Sequence, residues 1–165
     1  MYWYVIQTKP RQEKRALLNL ERQGYECYLP LLAVEKLRNR KLSIVDEPLF
    51  ARYLFIHLDD SQAGKSWVPI RSTKGVSHMV TFGNEYAKVD ERLIEALRAQ
   101  RDKNDQQPRP LFEPGERVMI TSGPFAGIEA IYQMTDGERR AMVLIELLSK
   151  TTQLQISPAN LSKAG

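Results

Sequence analysis

A short apolar and aromatic segment, residues 47–58, constrains this fold more than any other stretch of the chain. It has Pro48 near its start and is too short for a typical helix, so its composition favours a β-strand. Alternate residues of a strand face opposite sides of the sheet. One side would carry Ala51, Tyr53, Phe55 and His57, and the other Phe50, Arg52, Leu54, Ile56 and Leu58. Both sides are apolar, so we expect a central strand, covered on one face by helices and on the other by core or a binding partner.

The rest of the N-terminal part alternates between strand and helix patterns. Aromatic and β-branched composition predicts strands, and apolar residues spaced by three and four predict helices. The predicted strands are residues 2–7, 25–34 and 76–82, the predicted helices residues 12–23 and 90–101, and residues 35–42 are a protruding basic hairpin tip. Residues 66–69 are a loop or a short helix. This order predicts an α+β fold, with helices flanking an antiparallel sheet.

The C-terminal part contains local signals that disagree. Residues 1–101 form one predicted domain, residues 102–112 a proline-containing linker and residues 113–165 a second domain. Gly123, Pro124 and the Asp136-Gly137 pair suit turns between strands of a small barrel. Residues 138–150, however, are dominated by good helix formers. The sequence therefore leaves two packings open for this tail, a helical one and a β one.

The chemistry-bearing residues do not form a catalytic or metal-binding pattern. His57 and His78 lie far apart in strand-like segments, and Cys27 is the one cysteine of the chain. Neither a metal-ligand cluster, a glycine-rich phosphate loop nor a nucleophile–base spacing is present. We therefore expect no enzyme activity, no cofactor and no metal. The lone cysteine and the lack of an apolar run near the ~20 residues of a membrane span predict a cytoplasmic protein.

Recognition is the remaining function, and two surfaces are candidates for it. The formal net charge is +4, and the whole excess falls within the first 100 residues. Polar and basic side chains on the first helix could meet a basic turn and bind phosphates and base edges. They are Lys9, Arg15, Asn19, Arg22, Gln23, Arg71, Ser72, Thr73 and Lys74. An apolar patch of Tyr53, Phe55 and Leu97 could bind a protein.

Several segments resemble the NusG family of transcription elongation factors. They are Trp3-Tyr4-Val5, Leu20-Glu21-Arg22-Gln23-Gly24, Glu47-Pro48-Leu49-Phe50, Tyr53-Leu54-Phe55, Thr73-Lys74-Gly75-Val76, Pro114-Gly115-Glu116-Arg117-Val118 and Gly123-Pro124-Phe125-Ala126-Gly127. The resemblance spans essentially the whole chain and implies an N-terminal NGN domain and a C-terminal KOW domain. Within the family, residues 136–144 are most similar to the specialised RfaH branch. That branch implies fold switching: a KOW domain docked as an α-helical hairpin, with a five-stranded β-barrel as the alternative form.

The resemblance also implies roles for individual residues. Tyr53, Phe55 and Leu97 would bind the β′ clamp helices of RNA polymerase, although Gln7 stands where the branch has an aromatic residue. The interdomain contacts would be Phe50 and Ile94 against Ile128, Ile131 and Tyr132, with an ion pair between Glu47 and Arg140. The DNA-binding set would be Lys9, Arg15, Asn19, Arg22, Gln23, Ser72, Thr73 and Lys74, in which Asn19 replaces a histidine and Lys74 an arginine. Residues 66–69 would face the β subunit.

The function implied is that of an operon-specific antitermination factor, acting as a monomer. A DNA element in the non-template strand would recruit it, and it would suppress pausing and couple transcription to translation through a small-subunit ribosomal protein. Two alternatives stay open. The chain could be a general NusG-type elongation factor with a permanently β KOW domain, or a ribosome-associated or RNA-binding KOW protein without polymerase contact.

Overall fold

The computed structural model describes residues 1–61, 64–105 and 128–156. The strands of these residues are β1 (Tyr2–Thr8), β2 (Glu26–Tyr28), β3 (Leu31–Arg38), β4 (Lys41–Pro48), β5 (Tyr53–Leu58), β6 (Val76–Met79), β7 (Thr81–Phe82), β8 (Glu85–Tyr86) and β9 (Lys88–Val89). The helices are α1 (Glu13–Arg22), α2 (Val68–Arg71), α3 (Glu91–Asp105), α4 (Ile128–Gln133) and α5 (Gly137–Ile156). The predicted α+β class with an antiparallel sheet is confirmed.

The main sheet is built around the segment that dominates the sequence. Its strand order is β2–β5–β1–β6, with β9 also pairing with β1, and its neighbours run antiparallel. Strand β5 lies between β2 and β1, and its residues Phe55, Ile56 and His57 are paired with both neighbours. In its register with β1, Val5 lies opposite Phe55. The prediction of a central strand is confirmed.

The two faces of β5 belong to two separate hydrophobic clusters. Phe55 is fully buried among residues that pack under α3, whereas Leu54 and Ile56 are fully buried among residues that pack under α1. Fully burying a side chain of this size contributes about 1.5–3 kcal/mol. The double-sided burial explains why apolar residues occur on both faces of the strand.

The central strand begins later than the sequence pattern predicts. Glu47 and Pro48 end β4, and residues 49–52 form a turn before β5 starts at Tyr53. Arg52 has a positive φ of 71°, and the Tyr53 N–H donates to the Phe50 carbonyl at 3.2 Å. The turn is buried and apolar, and for that reason its composition resembles that of the strand that follows it.

The predicted strand over residues 25–34 is divided at Pro30 into β2 and β3. Strands β3 and β4 then form a separate two-stranded hairpin. Its turn residues, Asn39 and Arg40, have φ values of 50° and 65°, as a tight hairpin turn requires. The predicted strand over residues 76–82 is likewise divided into β6 and β7. Val80, at the break, still donates its N–H to the Val5 carbonyl at 2.9 Å.

The described residues of the tail are helical. Helices α4 and α5, here called the tail hairpin, occupy residues 128–133 and 137–156, and the strands that the sequence left open there are not formed. The tail hairpin shares a hydrophobic cluster with the sheet and α3. Helix α3 continues through Asp105, beyond its predicted end near residue 101. The predicted turns and strand over residues 113–127, and residues 106–112 of the predicted linker, lie outside the described residues.

None of the helices in residues 1–61, 64–105 and 128–156 has the length and apolar composition that crossing a bilayer requires.

Gly75 joins helix α2 to β6 at a point of close approach. Its φ is +97°, and a Cβ placed there would lie 2.8 Å from the Ala16 backbone nitrogen of α1. We expect Gly75→Ala to lower the free energy of unfolding by more than the ~1–2 kcal/mol that a left-handed backbone alone costs. Gly83→Ala is the matched control, because Gly83 has φ +64° and open space around its Cβ position. Urea unfolding of both variants measures the difference, and equal losses would contradict the close packing.

Candidate functional site

The predicted polymerase-facing residues lie under the tail hairpin. Phe55 and Leu97 are each 0% exposed, in the same cluster as Ile128, Ile131 and Tyr132 of α4. Tyr53 is half-buried at the edge of this cluster and, with Gln7, lines a cavity of about 1120 Å³ between the sheet and α5. In this arrangement the tail hairpin covers two of the three patch residues and borders the third.

Helix α4 is joined to α3 by a specific hydrogen bond. The Tyr132 hydroxyl donates to the Leu97 carbonyl at 2.8 Å, and both residues are fully buried. Phe50 and Ile94, predicted as interdomain residues, are also buried in this cluster, and the Phe50 ring packs edge-on against Phe55 at 6.2 Å. The structure thus brings together the apolar residues of the predicted interdomain set.

Arg140 is the one fully buried arginine of the described residues, and it is held by both parts of the chain. Its Nη2 donates to Glu47 Oε1 at 2.9 Å and its Nε donates to the Leu49 carbonyl at 2.6 Å. Its Nη1 donates to the Met134 carbonyl at 2.5 Å, within the tail hairpin. A buried guanidinium is tolerated only when paired and hydrogen-bonded, so these acceptors are what permits Arg140 to be there.

Two further contacts lie beside Arg140, one within the β3–β4 hairpin and one to the tail, and neither was part of the sequence prediction. Lys36 Nζ lies 2.9 Å from Glu47 Oε2, so the Glu47 carboxylate is held between Lys36 and Arg140. The Ala51 N–H donates to the Gly137 carbonyl at 3.1 Å, which places the turn before β5 against the start of α5. In the hairpin register Glu47 lies opposite Leu32 and Lys36 lies opposite Ser43, so the register alone would not have indicated this ion pair. The hydrogen bond to Gly137 joins two backbone groups, so no pattern of side chains in the sequence could have indicated it.

The predicted DNA-binding residues fall on α1 and on the loop before β6, which the fold places side by side. The Asn19 amide donates to the Lys74 carbonyl at 3.1 Å, and the Gln23 amide donates to Thr73 Oγ1 at 2.7 Å. The Lys9 N–H donates to the Gly75 carbonyl at 2.9 Å. Thr73 is 7% exposed, so its hydroxyl supports Gln23 rather than facing solvent.

The charged members of this set face outward. Lys9, Arg15, Arg22, Ser72 and Lys74 are exposed, while Asn19 and Gln23 are half-buried between α1 and the loop. The surface therefore combines exposed cations with amide groups, an arrangement that can bind phosphates and read base edges. Its Asn19 and Gln23 amides already donate to the loop, so the loop orients them.

Residues 66 and 67 lead into α2, which begins at Val68, and they lie beside an aromatic cluster. The Trp67 indole donates to the Asp59 carbonyl at 3.0 Å, and its ring packs edge-on against Tyr4 and Tyr86 at 4.9 and 5.6 Å. Val68 is 82% exposed on the outer side. Trp67 therefore holds this segment against the fold, and the Val68 side chain is exposed to solvent.

Two side chains that could carry catalysis, Cys27 and His57, lie in structural environments. Burial raises the pKa of the Cys27 thiol to about 12, so it stays protonated and poorly nucleophilic at neutral pH. His57 stacks on Trp3 with ring centroids 4.7 Å apart and lies 3.3 Å from Glu26, which is a structural environment. Across the part of the chain that the structure describes, no group of three or more metal-ligating side chains occurs.

Comparison with known proteins identifies relatives of this chain. The family model described as "Transcription termination factor nusG" matches residues 1–98. The "Transcription termination/antitermination protein NusG" of Campylobacter jejuni is 30% identical over 173 residues, covering 98% of this chain and 96% of that protein. The protein of the same description from Thermus thermophilus is 26% identical over 180 residues, covering 98% of each. That of Escherichia coli K12 is 25% identical over 175 residues, covering 98% and 96%.

Proposed function

This chain belongs to the NusG family of transcription factors, and on that premise we propose that it is a specialised, self-masked member. In the proposal, the N-terminal domain binds RNA polymerase through Tyr53, Phe55 and Leu97, contacting the β′ clamp helices. The tail hairpin covers this patch until the protein reaches a DNA element in the non-template strand. Proteins of this family are transcription factors rather than enzymes, and the proposed activity is one of binding alone.

The burial of the patch by α4 is the observation that carries the proposal. Phe55 and Leu97 are 0% exposed in one cluster with Ile131 and Tyr132, and in the proposal a partner contacts them only after the tail hairpin leaves. Because the patch is apolar, leaving it exposed would favour indiscriminate association. A docked state favoured by a few kcal/mol would keep the open form at roughly 0.1–10% of molecules.

The α1 surface supplies the proposed recruitment signal. Lys9, Arg15, Arg22 and Lys74 would attract the phosphates of the exposed strand, and the loop-oriented amides of Asn19 and Gln23 would contact bases. Binding of the α1 surface to the DNA would hold the protein close to the polymerase and so raise the local concentration of polymerase. Polymerase and the tail hairpin would then compete for the same apolar patch whenever the tail hairpin opens.

Further contacts complete the proposal. Val68, 82% exposed and anchored through Trp67, would face the β subunit on the other side of the DNA channel. A factor that bridges both sides would hold the polymerase clamp closed and suppress pausing. The released tail would refold into the β-barrel KOW form and bind a small-subunit ribosomal protein, which couples transcription to translation.

Selection on elongation complexes with a randomised non-template strand tests the recruitment step. We expect the wild-type chain to retain a restricted set of sequences. Lys74→Ala should weaken that retention and flatten its salt dependence by about one phosphate contact, a change of ~0.7 in the slope of log K against log salt for a single strand. Lys88→Ala, an exposed lysine of β9, is the control and should leave both unchanged.

A general NusG-type elongation factor is the second candidate, and the relatives named above favour it. Such a factor would bind elongation complexes whatever the sequence of the non-template strand. In the selection experiment, uniform retention of all sequences by the wild-type chain would support the general factor and contradict specific recruitment.

A further inference from the structure

The tip of the β3–β4 hairpin is a second cationic surface, separate from the α1 surface. Nine consecutive residues, 36–44, are all exposed, and none of them is acidic. Arg38, Arg40 and Lys41 bring three positive charges to the tip. The base of the hairpin belongs to the cluster under α3, whereas the α1 surface lies over the opposite face of the main sheet. We propose that this tip binds the phosphate backbone of duplex nucleic acid, independently of the polymerase contact.

The register of the hairpin separates charged from apolar side chains. Cross-strand partners share a face, so the pairs Lys36–Ser43 and Arg38–Lys41 lie on one side of the ribbon. The pair Leu37–Leu42 lies on the other. Arg40 occupies the tight turn itself, with a φ of 65°. The cations are thus gathered on one face and on the tip, rather than distributed around the ribbon.

An ion pair to α3 fixes the base of the hairpin. Arg101 of α3 contacts Asp46 at 3.0 Å, and a second ion pair, Lys36–Glu47 at 2.9 Å, joins the two strands of the hairpin to each other. These pairs use the acidic side chains Asp46 and Glu47 at the base, several residues from the tip. Arg38, Arg40 and Lys41 remain on a supported ribbon whose position relative to the main sheet is set by α3. A ribbon of this width suits contact along a nucleic-acid groove.

The composition of the tip favours a duplex over a single strand. Single-strand binding relies on aromatic side chains on which unpaired bases stack, and residues 35–46 contain no aromatic residue. Contacts from arginine and lysine to phosphates carry no sequence information. Duplex DNA offers the denser target, roughly one charge per 1.7 Å of its axis. We therefore expect binding that is independent of sequence and strongly dependent on salt.

The test is the salt dependence of duplex binding by the full chain. Fluorescence anisotropy with two unrelated 30-base-pair duplexes would compare the wild type with the triple variant Arg38→Gln/Arg40→Gln/Lys41→Gln. We expect equal affinity for the two duplexes. The slope of log K against log salt should be shallower by about 2.7 in the triple variant, since each phosphate contact contributes ~0.9. Circular dichroism confirms that the variant is folded.

A charge-matched control separates this site from a general effect of net charge. Lys88→Gln/Arg92→Gln/Arg139→Gln removes the same charge from exposed positions on β9, α3 and α5, and should leave the slope near that of the wild type. Equal slopes for the wild type and the hairpin variant would overturn the proposal, as would a wild type without salt-dependent duplex binding. Unchanged duplex binding combined with lost polymerase binding would assign the tip to a protein instead. None of these outcomes depends on the α1 surface being the recruitment site.

Discussion

Replacing Arg140 with alanine is expected to release the tail hairpin and to increase polymerase binding in the absence of any DNA element. The substitution removes the donor to Glu47 and to the Leu49 carbonyl, and these are contacts across the two parts of the chain. Hydrogen bonds to a charged group contribute about 1.5–3 kcal/mol each. The loss is moderated because Lys36 still neutralises Glu47, whose side chain is 23% exposed.

We therefore expect Arg140→Ala to cost about 2–3 kcal/mol of docking free energy, a shift of order 100-fold in the open population. Retention of core RNA polymerase by the full-length variant measures the effect. Arg139→Ala is the matched control, because Arg139 is the adjacent, exposed arginine of the same helix. An Arg140→Ala protein that binds polymerase no better than Arg139→Ala would mean that this arginine does not hold the mask.

Ile131→Ala should open the same interface through packing rather than charge. Ile131 is 0% exposed, on α4 within the cluster that also contains Phe55 and Leu97. Truncating a buried isoleucine to alanine costs about 2–5 kcal/mol when the surroundings cannot collapse into the cavity. Because Ile131 lies in the tail hairpin, this loss should fall on docking and leave the N-terminal domain folded.

Amide hydrogen exchange distinguishes a loss of tail docking from a loss of stability in the rest of the fold. In Ile131→Ala we expect faster exchange in α4 and α5, while the protection of β1 and β5 is unchanged. Met142→Ala is the control, since Met142 is 70% exposed on α5. If exchange rises equally in β5, Ile131 supports the whole fold, and the tail hairpin is part of one core rather than a separable cover.

The sequence predicted the central strand well because burial on both faces leaves a short, nearly continuous apolar run, which is a local pattern. The α+β order followed from turns and amphipathic spacing, and the Asp90 cap of α3 is present, with the Asp90 carboxylate accepting the Arg92 N–H at 2.8 Å. Burial of Leu54, Phe55 and Ile56 follows from their composition alone.

Other features depend on tertiary contacts that local patterns do not encode. The turn before β5 is apolar because it packs beneath the tail, and it therefore resembled a continuous strand. The sequence did not decide between a helical and a β packing of the tail, because residues that favour helices occur there beside residues that favour turns. In the helical packing, residues outside the tail supply two acceptors, the Leu97 carbonyl for Tyr132 and the Glu47 carboxylate for Arg140. The ion pair between Lys36 and Glu47 likewise joins side chains that the hairpin register does not place opposite each other.

The central claim is that residues 128–156 form helices docked on the Phe55 and Leu97 surface when the protein is free. Backbone Cα and Cβ chemical shifts of the full-length chain in solution test it most directly, together with contacts between the Tyr132 ring and α3. The account predicts helical shifts for α4 and α5 and a Tyr132 contact to Leu97. Strand shifts over these residues, with no contact to α3, would contradict it.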